Sequence, residues 1–293
     1  MNLIKPEFLK EGDTIGILAP SGAVRYKENI FRAKTFLENK GYKVVLSDNV
    51  FDEKRYLAGD DKKKLQELHK FFKDSEIKAI ICMRGGYGAI RLIKDIDYEL
   101  IKNNPKIFCG YSDITALSLM MLKKSNLMTF SGPMIQSDFG SEEICNFTID
   151  SFFNAVEGKP LVFDVEYTGK DIKGILWGGN LATIVSLCGQ DFLPDEDFIL
   201  FIEDLNEPAY KIDKMMTQLL NIDKFTQNLK AIVLGDFLDI DNEKWFEDIF
   251  EEIQEKYNIP IAKGLKITHN REKVTIPIGC DAILANNKIH IDL

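Results

Sequence analysis

Four short apolar runs in the first 109 residues, alternating with helix-patterned stretches, limit the fold of this chain more than any other feature. DTIGILAP (13–20) reads as a buried strand, and a helical pattern from Lys27 to Asn39 follows, with Gly41 as its stop. YKVVLS is the next strand pattern, and a polar helix from about Asp60 to Phe72 comes after it. IKAIIC (77–82) runs into RGGYG; KIFC (106–109) runs into GYSD, with a helix-like run from Ile114 to Lys124 beyond. Parallel neighbours need a crossover between them, so this succession predicts an α/β fold with a mainly parallel sheet flanked by helices. Ligands of such sheets gather beyond the carboxyl ends of the strands, where RGGYG and GYSD would both lie.

A helix pattern over Ser141 to Val156 ends at EGKP, where the texture changes. The expected division is an N-terminal α/β domain over 1–157 and a smaller, mainly β C-terminal domain over 158–293. Strand candidates in the second part are LVFDV (161–165), IKGILW (172–177), FILFIED (198–204) and LKAIVLGDF. Helices are expected from about Tyr210 to Leu220 and from Trp245 to Tyr257, the latter closed by Pro260. The tail KVTIPIGCDAILANNKIHIDL reads as short strands joined by an Asn-Asn turn. With 293 residues, 45% of them hydrophobic, the chain can bury cores in both parts.

The formal charge of -9 argues against nucleic acid as a partner, since phosphate binding needs clustered cations. MNLIKPEFLKEGD lacks the apolar run of a leader, and no later run approaches the length of a membrane span. A cytoplasmic location is therefore expected, with no membrane partner. The five cysteines lack paired C-x-x-C spacing, and four of them lie in apolar contexts that suit reduced, buried thiols.

Candidate chemistry begins at CGYSDITAL. A serine at a sharp strand-to-helix turn is pushed into the cleft, close to helix N-terminal amides that stabilise negative charge. Ser112 is thus a candidate nucleophile; the competing reading is that Ser112 or Asp113 caps the helix. Gly85 and Gly86 in RGGYG can turn amides toward the same cleft, or can serve a tight turn alone. APSG (19–22) is another possible edge of the pocket. Of three histidines, His69 lies in a polar helix and His290 in the terminal strand, whereas His269 precedes the polar loop NREK, as a base presented from a loop would. Glu203 follows the apolar run FILFI, where an ionised carboxylate requires a partner. A triad needs such a group to hold the imidazole. Widely spaced histidines without H-E-x-x-H give no metal site, and no cofactor is expected.

These blocks together resemble the LD-carboxypeptidase family, peptidase family S66, which includes muramoyltetrapeptide carboxypeptidases and microcin C self-immunity proteins. GDTIGILAPSG, RGGYG, GYSDITAL, KGILWGGNL, FIEDLNE and THN with PIGCDAIL carry the resemblance over nearly the whole chain. It implies Ser112 as nucleophile, His269 as general base and Glu203 as its orienting acid, with the Gly86 and Asp113 amides as oxyanion hole. It implies a homodimer and a murein tetrapeptide substrate that loses its terminal D-alanine in cell-wall recycling. One departure is Thr268, where family members usually carry glycine before the histidine. Arg84, Asn180 and Glu207 are candidate contacts to the peptide, and Trp177 a candidate apolar wall. Arg84 as a surface or domain-bridging cation, Glu207 as a cap of the following helix and Trp177 as core are the alternatives. Cleavage of a peptide-nucleotide conjugate is the competing activity, and a non-catalytic α/β small-ligand-binding protein the competing class.

Overall fold

The computed structural model describes residues 2–293. The first half runs β1 (Thr14–Leu18), α1 (Lys27–Asn39), β2 (Lys43–Leu46), α2 (Asp61–Lys73), β3 (Ile77–Cys82), α3 (Tyr98–Asn103) and β4 (Ile107–Cys109). It continues through α4 (Thr115–Ser125), β5 (Thr129–Ser131) and α5 (Asn146–Val156). These five strands, in the order β2-β1-β3-β4-β5 with all neighbours parallel, belong to a six-stranded sheet whose last strand comes from the tail of the chain. β1 and β4 are buried along their whole length, as strands covered on both faces must be. α1 turns Ile30, Ala33 and Leu37 inward and ends where Gly41 takes a φ of +92°.

The second half holds β6 (Leu161–Asp164), β7 (Ile172–Asn180), α6 (Leu181–Ser186), β8 (Phe198–Leu205), α7 (Ala209–Leu220) and α8 (Asp223–Asn228). After them come β9 (Leu229–Leu238), α9 (Glu243–Tyr257), β10 (Ile261–Ala262), β11 (Ile276–Ile278), β12 (Asp281–Ala285) and β13 (Lys288–Ile291). Seven of these strands make a mixed sheet in the order β10-β9-β8-β7-β12-β13-β6. Its two edges meet. Glu166, beyond β6, and Lys263, beyond β10, exchange both backbone hydrogen bonds at 2.8 and 3.2 Å, which satisfies groups that an open edge leaves bare. Asn286 and Asn287, both at positive φ, make the tight turn between β12 and β13.

Two features join the halves. β11 returns from the tail to pair antiparallel with β5 in the first sheet. α4, apolar on nearly every face (ALSLMML), is buried except at Lys123 and Lys124, and packs on α6 and β7 of the second half. Because α4 begins at the GYSD turn, that turn lies where the halves meet. Cys82, Cys109 and Cys280 are buried, Cys145 and Cys188 partly so, and all five are free thiols. Among the described residues, no helix is long and apolar enough to cross a membrane. The helix expected from Ser141 starts later, at Asn146, and a π-helical turn at Ile135–Phe139 precedes it. α9 ends at Asn258, whose left-handed φ of 52° stops the helix two residues before Pro260.

Candidate active site

Ser112 stands at the end of β4 with φ at +61°, and opens a single 3₁₀ turn, Ser112–Ile114, that leads straight into α4. A left-handed serine costs on the order of 1–3 kcal/mol and persists only when its surroundings hold it. Asp113 supplies much of that hold. Its buried carboxylate accepts hydrogen bonds from Ser21 Oγ and, at 2.8 Å, from the Ala89 amide. The Gly22 amide reaches Gly85 O at 3.2 Å. APSG, RGGYG and GYSD are thereby knitted into one support. Burial raises the Asp113 carboxyl above its ordinary range, and the bonds from Ser21 and Ala89 oppose that rise.

RGGYG lies directly against the serine. A β-carbon on Gly85 would fall 3.0 Å from Ser112 Cβ and 3.2 Å from Ser112 Oγ. Gly86 has φ at +108°, a conformation that side chains rarely adopt. Among the described residues, neither the Gly86 nor the Asp113 amide donates to another backbone group. Arg84 folds back onto the same turn: Nη1 donates to Ala23 O at 2.9 Å, and the guanidinium lies beside Gly22 and Gly86. Burial lowers the Arg84 pKa, and the neighbouring Arg25 lowers it further.

Glu203 and His269 meet from two segments of the second half. Glu203, at the end of the apolar core of β8, is 4% exposed and places Oε2 2.6 Å from His269 Nδ1. A buried carboxylate at that distance fixes the proton on Nδ1 and leaves Nε2 as the acceptor. Thr268 Oγ1 accepts the Asn270 amide at 2.9 Å, a side-chain turn that braces the loop around the histidine. The His269 ring lies 5.1 Å from the Tyr111 ring in an edge-on contact, and Tyr111 immediately precedes Ser112. The Asn180 amide donates to Thr115 Oγ1 at 3.2 Å, tying the end of β7 to the start of α4. Acid, imidazole and serine turn therefore converge at the junction of the halves. Tyr111, Glu203, Thr268 and Lys273 also share the lining of one small cavity of about 10 Å³.

Other expected contacts fare differently. Trp177 is fully buried among Phe192, Phe198 and Phe225, so it is core and not an accessible wall. Asn180 is 6% exposed and largely engaged at the start of α6. Its Oδ1 accepts from the Thr183 amide and hydroxyl, and its Nδ2 donates to Asp204 at 2.9 Å, leaving one amide hydrogen for any further partner. Glu207 is half-buried and pairs at 3.3 Å with Lys211. His69 accepts the Asp97 amide at 2.9 Å, and His290 sits in β13 opposite Val162. A cavity of about 860 Å³ between residues 165–172 and 254–261 is lined by none of the expected site residues. The sequence reading missed Tyr111 and the Asp113 side chain as supports, although both flank the serine, and it missed Lys273 and Asp138 altogether.

Comparison with known proteins agrees with this layout. Residues 15–132 match the LD-carboxypeptidase N-terminal domain, and residues 173–284 match the LD-carboxypeptidase C-terminal domain. A probable murein peptide carboxypeptidase of Bacillus subtilis is 36% identical over 96% of this chain and 91% of its own length. The crystal structure of a muramoyltetrapeptide carboxypeptidase from Oxalobacter formigenes is 31% identical, superposes with a TM-score of 0.86, and the match covers 95% of this chain and 97% of that one. The microcin C7 self-immunity protein MccF of Escherichia coli is 28% identical over 92% of this chain and 90% of its own length. A structure of MccF with aspartyl sulfamoyl adenosine gives a TM-score of 0.90, at 26% identity and with 99% of this chain and 98% of that one covered. This chain belongs to the LD-carboxypeptidase family of serine hydrolases, peptidase family S66.

Proposed function

We propose that this protein is a serine-type LD-carboxypeptidase that removes the terminal D-alanine from a murein tetrapeptide. The observation that carries the reading is the buried 2.6 Å Glu203–His269 pair, held against the turn on which Ser112 is forced into a left-handed conformation. In the proposed mechanism His269 Nε2 takes the Ser112 proton as Oγ attacks the amide carbonyl, and the Gly86 and Asp113 amides receive the oxyanion. Glu203 steadies the resulting imidazolium. The leaving amine then takes the proton from His269. Water, deprotonated by the same imidazole, releases the acyl group and restores the Ser112 hydroxyl. Arg84 beside Gly86 is the proposed partner of a substrate carboxylate.

Two observations support murein peptide over other substrates of this family. The 36% identical relative carries a murein peptide name. By the family resemblance, immunity-branch members carry an additional loop between the segments matching WGGNL and FIEDLNE, whereas here the connection from α6 to β8 is only residues 187–197. By the same family resemblance the protein works as a cytoplasmic homodimer.

A second reading, hydrolysis of a peptide-nucleotide conjugate, draws on the MccF likeness and on an exposed aromatic pair. Tyr56 and Tyr87 stand 5.7 Å apart, and Tyr87 follows Gly86 directly, so a base can stack there. Mass spectrometry of products from murein tri-, tetra- and pentapeptides and from an aspartyl-adenylate analogue separates the two. Loss of one alanine from tetrapeptide alone is expected. Turnover of the adenylate analogue with intact tetrapeptide would assign the protein to the second activity.

A further inference from the structure

The loop carrying His269 is fastened to the first half of the chain by a buried ion pair. Lys273, four residues beyond the histidine, places Nζ 2.5 Å from Asp138 Oδ1, with the two side chains 4% and 5% exposed. Asp138 lies in the π-helical turn. Its other oxygen accepts the Met134 amide and the Ser137 hydroxyl, both at 2.8 Å. Ser137 Oγ in turn stands 3.3 Å from the Tyr111 hydroxyl. The circuit closes on the ring itself, because Lys273 Nζ sits 4.9 Å from the Tyr111 ring centroid. The same ring meets His269 at 5.1 Å.

Desolvation offsets most of the attraction within a buried Lys–Asp pair, so stability alone is a weak reason for one at this place. Nor is the ammonium needed to dock the loop. The Lys273 amide donates to Thr148 Oγ1, the Thr275 amide donates to Ser151 Oγ, both at 2.9 Å, and β11 pairs with β5. What the ammonium adds is a fixed charge on one face of Tyr111, with the phenol held from its far end through Ser137.

We propose that Lys273 is a positioning residue for His269: clamped by Asp138, it fixes the Tyr111 ring, and the ring sets the tilt of the imidazole against Glu203. The inference rests on the reading of His269 as general base. Burial holds Tyr111 neutral, so an uncharged ring stands between the Lys273 cation over its face and the imidazole in edge contact with it.

The test compares parent, Lys273→Met and the double variant Asp138→Asn/Lys273→Met, which removes both charges and so avoids a lone buried carboxylate. The chain has three histidines, so the ring resonances of His269 can be followed by NMR in the free protein with His69 and His290 as internal references. Expected are displaced His269 resonances with the other two unmoved, and kcat lower by about 10- to 100-fold at a nearly unchanged KM, the size of effect that slight misplacement of a reacting group produces. His269 resonances identical to the parent's in the folded double variant would overturn the proposal, and so would a parental kcat. The spectrum is read without substrate, so a wrong substrate assignment leaves this arm intact.

Discussion

Replacing Gly85 with alanine adds one methyl group at the point where RGGYG touches the Ser112 turn. Gly85 is not among the glycines held at positive φ, so alanine meets no backbone penalty there. The effect is steric. The new carbon would lie 3.0 Å from Ser112 Cβ, 3.2 Å from Ser112 Oγ and 3.4 Å from the Asp113 amide nitrogen. Ordinary carbon contacts begin near 3.5 Å, so one of the two turns must retreat by roughly 0.5 Å. Ser112 has little room to adapt, because its left-handed turn is locked by Asp113 to Ser21 and Ala89. A shift of that size in a nucleophile relative to its amide cradle costs about 10- to 100-fold in kcat/KM. Overpacking of a tight site costs about 1–3 kcal/mol in stability. The assay is steady-state cleavage of tetrapeptide alongside chemical denaturation. Parental kcat/KM in Gly85→Ala would refute the reasoning, since it would mean that Ser112 Oγ and the neighbouring amides do not act together.

Glu203→Gln keeps the side-chain shape but removes the charge proposed to stabilise the His269 cation; kcat is expected to fall by about 10²- to 10⁴-fold with the fold retained by circular dichroism. Trp177→Phe should leave KM unchanged while lowering denaturation stability by about 1–3 kcal/mol, because the indole fills an aromatic core. Asp204 predicts a pH effect of definite sign. Burial raises its carboxyl to about 6 from 3.8, against opposing bonds from Leu205, Ala182 and Asn180. The folded state therefore holds the proton more tightly, and stability falls as pH rises from about 4 to about 6, by up to about 3 kcal/mol from this group. Asp204→Asn should flatten that part of the stability–pH curve; an unaltered slope would show that Asp204 is not its source.

Much of this architecture is legible where local chemistry decides it. The helical pattern from Lys27 to Asn39 is the helix observed, because its inward face is a continuous Ile30-Ala33-Leu37 stripe and Gly41 closes it. The turn at Ser112 is legible because a short apolar strand, a glycine and a helix start fix the chain's path. β5 escaped notice: three residues are too few for a pattern, and the partner β11 lies 145 positions on in the register Ile276↔Ser131. Asn180 was open to a local reading as a helix cap, with Thr183 three residues on, yet its polarity suggested a ligand contact. Trp177 ends the predicted strand IKGILW, and only the packing of Phe192, Phe198 and Phe225 decides that it faces inward. The Lys273–Asp138–Tyr111 circuit joins segments more than a hundred residues apart, so no window of sequence contains it.

The account depends on one hydroxyl doing the bond-making. Tetrapeptide turnover by Ser112→Ala, with its folding matched to the parent by thermal denaturation, tests that most directly. A loss of at least about 10³-fold in kcat is predicted from disruption of such a triad. Parental turnover by the alanine variant would contradict it, and the Glu203–His269 pair would then be serving some other chemistry.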